Sequence, residues 1–441
     1  MKTGRTALFI GAGIFTFLLL WVGYVGNRDA FATNFFIYAS LFCLLYGLIT
    51  RTKLIEKQLI QWLFFGMAIR IALLLAIPQL SDDYFRFIWD GKLLLSGINP
   101  YQFTPEEILP TLLEKDFLYF QNLFDQLNSP KYFSVYPPTN QLFFVLSSWV
   151  GGNSILLSVV TLRLLLIGFE AGVVILLWKI ANLIQIDRKQ IFLYALNPLV
   201  ILEITGNLHF EGVMLFFLLL AFYSYLINKK RVGLWFGVAV AIKLTPLILM
   251  PILVSYIRRN LLPGFVLFSG LTIIVLFLPL AGMLPNYVES IRLYYGKFEF
   301  NAGIYYLVRT ISMWRIPYNP IEYISPILTG MAGIFIIWIG WKKPLPTISA
   351  NVVLAYLVYL LLHTVVHPWY LIVPLGISIL TPYRIFVVWS FVVFFSYQSY
   401  TSPDNSESTI LLLIQYGVIL VAGYFDYLKL KLSKERVNNC I

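Results

Sequence analysis

A short run of the sequence, DDYFRFIWDG from Asp82, combines three aspartates with an arginine and a tryptophan. In a helix, Asp82 and Arg86 lie one turn apart, and Asp83, Arg86 and Asp90 share a face. A carboxylate in such a group can accept a proton from a hydroxyl nucleophile. Aromatic faces next to it suit the C–H face of a sugar ring. The run is therefore a candidate catalytic segment.

The same run also fits a purely structural interpretation. Ser81 is a good N-cap, and acidic residues in the first turn suit the helix dipole. The sequence GINPY, residues 97–101, then predicts the end of the helix and a turn. A capped helix at a membrane surface would need only surface ion pairs. The density of acidic and aromatic side chains, including Trp89 and Tyr101, favours a functional site.

Cations that could bind an anionic group occur further along the chain. Lys243 lies inside an apolar stretch, where a charge is costly unless it is paired or functional. Arg292 and Arg309 lie in a polar segment and fit either phosphate binding or a membrane interface. Arg163 and Glu170 are seven residues apart on one helix face, so we predict that they form a structural ion pair.

One of the three histidines lies in a polar cluster. His209 falls between Asn207 and Glu211 in otherwise apolar sequence, with Glu203 nearby. A lone histidine at a helix end can be an ordinary interfacial residue. The three neighbouring polar groups favour a role in a site.

The other two histidines, His363 and His367, would share a helix face and could bind zinc at this spacing. No further ligand accompanies them, and Pro368 interrupts the helix, so we do not predict a zinc site. The motif HPWY, which ends in Trp369 and Tyr370, is better interpreted as contacting a lipid phosphate or an acceptor.

The elements that must position these residues are membrane helices. The chain is 59% hydrophobic and 12% charged, with a mean hydropathy of +0.79, whereas a soluble domain is roughly 25% charged. Its apolar runs are long enough to cross ~30 Å of hydrocarbon, and they lack the alternation of a barrel. We predict an all-α, polytopic membrane protein with about 12 transmembrane helices plus re-entrant segments.

Two apolar segments, residues 137–150 and 232–257, are too short for the crossings they would have to make, so we predict partial insertion. Lys243 lies near the tip of the second. The remaining apolar runs give the predicted spans: 7–25, 33–50, 58–78, 155–183, 190–205, 209–227, 261–281, 321–341, 347–363, 367–382, 384–400 and 409–427.

Orientation follows from the basic residues, most of which flank apolar runs on one side. The positive-inside rule makes that side cytoplasmic, together with both termini. The polar insertions 79–135 and 283–320 then face outward, within a single domain, 1–441. The net charge of +11 is thereby explained without a nucleic-acid partner.

Cys43 and Cys440 lack a pairing pattern, so we do not predict a disulfide between them. The first apolar run is predicted to be a helix rather than a cleaved signal.

The run DDxxRxxWDG, followed by GxNPY, resembles the first outer loop of the GT-C membrane glycosyltransferases. The likeness is greatest to the polyprenyl-phosphate-mannose-dependent mannosyltransferases, including bacterial relatives of the enzyme that adds the first mannose of the GPI anchor. Further matches follow in order over residues 81–370: Tyr136-Pro137-Pro138, Asn197-Pro198, Gly206-Asn207-x-His209-x-Glu211, Lys243-x-x-Pro246, Phe300-Asn301 and His367-Pro368-Trp369-Tyr370.

The resemblance implies transfer of a hexose, mannose in the nearest relatives, from a polyprenyl-phosphate-sugar donor to a glycan, lipid or glycoconjugate hydroxyl at the extracytoplasmic face. Either Asp82 or Asp83 would be the general base, and the choice stays open because related loops carry DxD or DE. Donor-phosphate or substrate binding is expected from Arg86, Trp89, Asp90, Asn99, Tyr101, Tyr136, Asn207, His209, Glu211, Lys243, Arg292, His367, Trp369 and Tyr370.

The proposed reaction needs few protein groups. A polyprenyl phosphate is a competent leaving group, so a single inverting displacement requires a base and stabilisation of the phosphate. No cofactor is predicted as essential, although a divalent cation, Mg²⁺ or Mn²⁺, could assist the paired aspartates. We expect a multi-pass protein of a bacterial inner (plasma) membrane that contacts membrane lipid.

Two alternatives remain at this level. A secondary transporter or lipid flippase would also carry intramembrane charges and re-entrant segments, but the acidic residues here concentrate in one outer loop. A protein O-glycosyltransferase or a lipid A aminosugar transferase would share the architecture and differ in its substrates.

Overall fold

The computed structural model describes residues 2–51, 54–112 and 114–438. Within these ranges the regular structure is helical, apart from one isolated parallel bridge between Phe300 and Val365. The predicted all-α class is therefore confirmed. Cys440 lies outside the described residues, and the single domain 1–441 stays a prediction.

Many of the helices are short, because prolines and polar residues interrupt the apolar runs. Short 3₁₀ turns and one π-helical segment, Ile201–Gly206, fill several of the interruptions. The α-helices of the described chain are α1 (Lys2–Tyr24), α2 (Phe31–Arg51), α3 (Glu56–Ala72), α4 (Asp83–Leu95), α5 (Pro105–Ile108), α6 (Glu114–Phe124), α7 (Pro138–Gly151), α8 (Ile155–Leu183), α9 (Phe192–Ala195), α10 (Pro198–Val200), α11 (Glu211–Leu226), α12 (Val232–Ile242), α13 (Met250–Tyr256), α14 (Leu262–Phe277), α15 (Leu284–Lys297), α16 (Ile304–Ser312), α17 (Ile321–Lys342), α18 (Ile348–Leu362), α19 (Ile372–Ser378), α20 (Ile385–Val392) and α21 (Thr409–Asn438).

Several helices have the length and composition of membrane spans. Five helices of the described chain are long and apolar enough to cross a membrane alone. A sixth span is added if the segment Pro198–Gly206 and helix α11, which meet at a bend of 111°, cross as one unit. The helical membrane class is thus supported, whereas the count of twelve spans stays a prediction. The five full-length spans in the described chain are Phe31–Thr50, Ile155–Leu183, Leu262–Leu280, Ile321–Lys342 and Thr409–Leu432.

The predicted continuous span over residues 190–205 is wrong. The structure has a 3₁₀ turn, then α9, a break at Asn197, α10 and the π-helical segment. Pro198 explains the break, because it lacks an N–H donor and disfavours helical geometry in the residue before it. The broken segment ends next to His209.

A second break lies between α12 and α13. Lys243 has extended backbone geometry there, with φ −157° and ψ 138°. A 3₁₀ turn, Thr245–Leu249, then leads into α13. This geometry agrees with the predicted hairpin, although its insertion into a membrane stays a prediction.

The predicted ion pair between Arg163 and Glu170 is wrong. The Arg163 guanidinium instead donates to the carbonyl oxygens of Leu74 at 2.7 Å, Thr205 at 2.6 Å and Gly206 at 3.0 Å. These carbonyls lie at helix ends, where the last C=O groups have no N–H partner within the helix. A guanidinium has five donors and can satisfy several of them at once.

Glu170 pairs with a different arginine. Its Oε2 accepts a hydrogen bond from Nη2 of Arg70 at 3.1 Å, and its Oε1 accepts one from the Tyr194 hydroxyl at 2.8 Å. Both members of the ion pair are completely buried. Because Arg70 comes from α3, the pair joins α3 to α8.

The polar segment 79–135, which is the predicted first outer loop, is held close to the helices that follow it. Helix α4 packs on α7, and α7 packs in turn on α8. At Gly91 the contact with α7 is so close that a Cβ would lie 2.2 Å from the Phe144 carbonyl oxygen. This contact fixes α4 relative to α7.

We predict that Arg70→Met destabilises the protein by about 3–5 kcal/mol, because it leaves the Glu170 charge buried without its cation. The double variant Arg70→Met/Glu170→Leu removes both charges and should recover most of that loss. Thermal unfolding of the purified protein in detergent measures both effects. A double variant as unstable as the single one would contradict this account of the pair.

Candidate active site

The predicted outer loops 79–135 and 283–320, together with the chain around His209, Lys243 and His367, surround one cavity of about 560 Å³. Its wall is part polar and part apolar, and residues far apart in the sequence contribute to it. Ten of the predicted site residues lie in this wall: Asp82, Asp83, Arg86, Tyr136, His209, Glu211, Lys243, His367, Trp369 and Tyr370.

The two adjacent aspartates begin helix α4. Asp82 is the N-cap residue and Asp83 is the first helical residue, so the prediction of Ser81 as N-cap is wrong by one position. Ser81 Oγ instead accepts a long hydrogen bond from the Asp83 N–H at 3.4 Å. The helix start therefore directs both carboxylates to the cavity wall.

Asp82 is paired with an arginine that the sequence did not indicate. Arg28, in the link between α1 and α2, donates to the Asp82 carboxylate. Its guanidinium also lies over the ring of Tyr400, 5.3 Å from the centroid. Since the two partners are 54 residues apart, no local pattern could have revealed the pair.

Asp83 has a different environment. It is in no ion pair within the described chain and accepts one hydrogen bond, from Asn128 Nδ2 at 3.1 Å. Burial raises the pKa of Asp83, while the Asn128 hydrogen bond and the charge of Lys243 act in the opposite direction. Burial thus increases the proton affinity of the Asp83 carboxylate.

Arg86 and Asp90 form an ion pair that organises the rest of the loop. Arg86 Nε donates to Asp90 Oδ1 at 2.8 Å, and Asp90 also accepts from Ser134. The Arg86 guanidinium donates to the carbonyl oxygens of Ser129 at 3.2 Å and Tyr132 at 3.0 Å. Asp90 is completely buried, so Arg86 alone of this pair reaches the cavity.

Lys243 supplies a cation on another side of the cavity. It contacts the carboxylate of Glu211, and its Nζ lies 4.3 Å from the centre of the Tyr370 ring. Its side chain is 34% exposed, whereas that of Glu211 is 3% exposed. The break between α12 and α13 thus leaves the ammonium group accessible from the cavity.

Two histidines enclose a tryptophan beside Lys243. The rings of His209 and Trp369 stack at 3.8 Å, and those of His367 and Trp369 at 4.3 Å. Within the described chain, His209 Nε2 and His367 Nδ1 are buried without a hydrogen-bond partner. Buried polar atoms without partners are uncommon. Both histidines line the cavity, so a ligand could supply the missing partners.

Asn207 connects this histidine cluster to the first outer loop without lining the cavity. Its Oδ1 accepts a hydrogen bond from the Leu80 N–H at 3.3 Å, and its Nδ2 donates to Glu203 Oε2 at 3.1 Å. That same carboxylate oxygen lies 3.5 Å from His209 Nε2. The Tyr397 hydroxyl donates to the other oxygen of Glu203.

Four further predicted residues lie outside the cavity wall. Trp89 is completely buried. Asn99 Oδ1 accepts from the Tyr101 N–H at 3.0 Å, as in a turn, and the Tyr101 hydroxyl donates to the Tyr136 carbonyl at 2.5 Å. Arg292 is exposed and lies outside the wall. In this arrangement the first three support the loop that carries the aspartates.

No group of three or more metal-binding side chains occurs among residues 2–51, 54–112 and 114–438. Helix α18 ends at Leu362, so His363 and His367 do not share a helix. Assistance by Mg²⁺ or Mn²⁺ at the paired aspartates stays a prediction.

A helical membrane fold with carboxylates, cations and stacked aromatic rings around one cavity suits a membrane glycosyltransferase. Residues 12–259 match the family model of the alpha-(1->6)-mannopyranosyltransferases, N-terminal domain. Because the match covers more than half of the chain, the protein belongs to this family. The predicted relationship to the mannosyltransferases is thereby confirmed at the level of the family. The matched range includes Asp83 and Lys243 but ends before His367.

A curated relative agrees with this assignment. Alpha-(1->6)-mannopyranosyltransferase A of Mycobacterium tuberculosis (strain ATCC 25618 / H37Rv) is 26% identical over 198 residues, which are 43% of this chain and 35% of the relative. The chain thus matches about a third of the relative's length. No solved structure matches the chain.

We predict that Asp83→Asn raises the melting temperature at pH 7. With its pKa raised, folded Asp83 binds protons more tightly than unfolded Asp83, so its contribution to stability falls as pH rises above the unfolded value of about 3.9. Asp82→Asn should instead lower the melting temperature, because it removes the partner of Arg28. Unfolding at pH 7 and near pH 4 tests the signs. Equal effects of the two variants would contradict the distinction.

Proposed function

We propose that this protein transfers mannose from a polyprenyl-phosphate-linked donor to a hydroxyl group of a glycan, lipid or glycoconjugate acceptor. Membership of the mannosyltransferase family supports the sugar and the reaction class. The observation that carries the mechanism is that Asp83, outside any ion pair of the described chain, shares one cavity with the accessible Lys243.

Asp83 is the proposed general base. Its carboxylate accepts the proton of the acceptor hydroxyl as the acceptor oxygen bonds to the anomeric carbon and the bond from that carbon to the phosphate oxygen breaks. The burial that raises the pKa of Asp83 makes it a stronger base than an exposed aspartate. Asp82 is less suited, because its carboxylate is already engaged in an ion pair with Arg28.

Lys243 and the histidine cluster are proposed to bind the donor phosphate. The ammonium group can stabilise the negative charge that develops on the leaving phosphate. The Glu211 carboxylate accepts a hydrogen bond from the Lys243 ammonium group and so orients it. His367 Nδ1 has no hydrogen-bond partner in the described chain and can hydrogen-bond a phosphate oxygen in the tautomer that the contact requires. His209 Nε2 can do the same, with Glu203 Oε2 lying 3.5 Å from it.

The apolar part of the cavity wall supports a lipid-linked donor. Met214, Ile242, Leu244, Ile291 and Leu360 line it alongside the polar groups. A free sugar nucleotide would gain little from these side chains, whereas an isoprenoid chain would bury apolar surface against them. The phosphate would then lie where the apolar and polar parts of the wall meet.

The family description and the name of the relative both specify an alpha-(1->6) linkage. By analogy we infer an α-linked product on a primary hydroxyl. Because a single displacement inverts the anomeric carbon, this product requires a donor in the β configuration. A retained configuration would require a covalent intermediate instead.

The proposed active site faces the extracytoplasmic side of a bacterial plasma membrane. In support, both predicted outer loops contribute to the cavity wall, through Asp83 and Phe298 among others. The charge asymmetry of the loops supports this orientation. We also propose that residues 1–441 form a single membrane domain.

Among the competing functions, a transporter or flippase is disfavoured by the family match. The buried pair Arg70–Glu170 lies outside the cavity wall and joins two helices, so its intramembrane charges have a structural explanation. A protein O-glycosyltransferase or a lipid A aminosugar transferase would use the same base and phosphate groups. Substrate competition separates these from the proposed mannosyltransferase.

We predict that Asp83→Asn lowers kcat by roughly 10²- to 10⁴-fold, the usual contribution of a general base, while Asp82→Asn lowers it less. The measurement is transfer of labelled mannose from polyprenyl-phosphate-mannose by the purified protein in nanodiscs. Unchanged transfer by Asp83→Asn would reject Asp83 as the base. Solute transport that survives both substitutions would favour the transporter.

The pH profile gives a second prediction. Transfer should rise with pH along an acidic limb that lies above the usual aspartate range of about 3.9, because deprotonated Asp83 is the active form. Lys243→Met should move this limb to higher pH, because it removes a positive charge that lowers the Asp83 pKa. The same variant should raise the donor KM. A limb that stays in place or moves to lower pH would contradict the coupling of the two residues.

A further inference from the structure

The dipeptide Phe300–Asn301, in the second outer loop, contacts the irregular segment between α18 and α19. This segment ends in His367 of the histidine cluster, and Val365 and Val366 within it are at most 1% exposed. Backbone groups buried outside a helix need hydrogen-bond partners from elsewhere. The second outer loop supplies several of them.

Three hydrogen bonds join the two segments. The Phe300 N–H donates to the Thr364 carbonyl at 3.0 Å, and the Phe300 carbonyl accepts from the Val366 N–H at 2.8 Å. The side-chain Nδ2 of Asn301 donates to the Val366 carbonyl at 3.1 Å. The last bond fixes the peptide that leads directly into His367.

Asn301 is itself anchored from the opposite direction. Its backbone N–H donates to Glu407 Oε1 at 2.7 Å, its carbonyl accepts from the Tyr416 hydroxyl at 2.6 Å, and its Oδ1 accepts from Gln415 Nε2 at 2.8 Å. Its φ of +49° is left-handed, a conformation that asparagine and glycine tolerate best. Asn301 is completely buried.

The dipeptide also contacts the imidazole directly. The ring of Phe300 lies 4.8 Å from the ring of His367, centre to centre. Trp369 stacks on His367 as well. The orientation of His367 is therefore set by its backbone, held by Asn301, and by the rings of Phe300, Trp369 and Tyr370.

We propose that Asn301 is a positioning residue for His367, holding the imidazole where it can bind an anionic phosphate ligand. The identity of the ligand rests on the proposed function, whereas the orienting role rests on the hydrogen bonds alone. Asn301 acts through the Val366 peptide and is not itself in the cavity wall.

The chain offers a matched control in the same loop. Asn319 Nδ2 donates to Glu299 at 3.0 Å, and Asn319 Oδ1 accepts from the Tyr305 hydroxyl at 2.9 Å. These bonds stabilise the outer loop without touching the segment that carries His367. Asn319→Ala thus reports a general loosening of the loop, and Asn301→Gly reports the specific contact.

The first test uses the small number of histidines, of which the chain has three. With ¹⁵N-labelled histidine in the full-length protein in nanodiscs, Asn301→Gly should shift or broaden the His367 imidazole signals. Glycine keeps the left-handed backbone and loses only the side-chain bonds. Asn319→Ala should leave these signals in place. An unchanged His367 spectrum in Asn301→Gly would overturn the proposal.

The second test is a double-mutant cycle on mannosyl transfer. Asn301→Gly should reduce kcat/KM for the donor by roughly 10- to 100-fold, as expected when a binding group is displaced. In a His367→Ala background the same change should have little further effect. Independent, multiplicative losses would overturn the proposal. If the wild-type protein transfers no mannose, the proposed function fails, and the histidine spectra still decide the role of Asn301.

Discussion

The structure depends on how buried backbone groups are satisfied where apolar helices are interrupted. In a membrane protein an unpaired N–H or C=O in an apolar environment costs several kcal/mol, so a helix break survives only beside polar side chains. Here the breaks at Lys243 and before Pro368 lie in the wall of one cavity, and the broken segment that follows Pro198 leads to His209 in the same wall. The polar side chains that stabilise the breaks therefore also concentrate around the candidate active site.

Buried polar side chains satisfy backbone groups at several of these interruptions. Arg163 donates to carbonyls at the end of the π-helical segment, and Asn301 donates to the segment before His367. Asn207 ties the first outer loop to the segment that carries His209. These residues lie outside the cavity wall, yet they hold the ones that line it.

The two adjacent aspartates show how the fold separates chemically identical groups. Arg28 neutralises Asp82, while Asp83 retains an exposed edge to the cavity and a raised pKa. Lys243 is close enough to affect that pKa and is partly balanced by Glu211. The cavity thus combines a basic carboxylate with a cation without a direct ion pair between them.

Much of this arrangement was predictable from the sequence. Apolar run lengths gave the helical membrane class, and the DDxxRxxWDG run gave the family and the loop that contributes Asp83. The motif order also indicated His209, Lys243 and His367. These features are local, so they can be read along the chain.

Other features depend on tertiary contacts, which helix periodicity does not encode. The spacing of Arg163 and Glu170 suggested a pair, but neighbouring helices present Arg70 and open carbonyls that fit better. The partner of Asp82 comes from a distant link between helices. Trp89 had the residue type of a sugar platform, yet the fold buries it in the loop's own core.

In the proposed mechanism, one cavity holds the base and the phosphate-binding groups on either side of the anomeric carbon. A cryo-electron microscopy structure with a non-cleavable polyprenyl phosphonate analogue of the mannose donor tests it most directly. The account predicts phosphonate oxygens at Lys243 Nζ and the His209 and His367 nitrogens, with the anomeric carbon facing Asp83. A phosphonate bound away from Lys243, or a sugar facing Asp82 with Asp83 turned away, would contradict it.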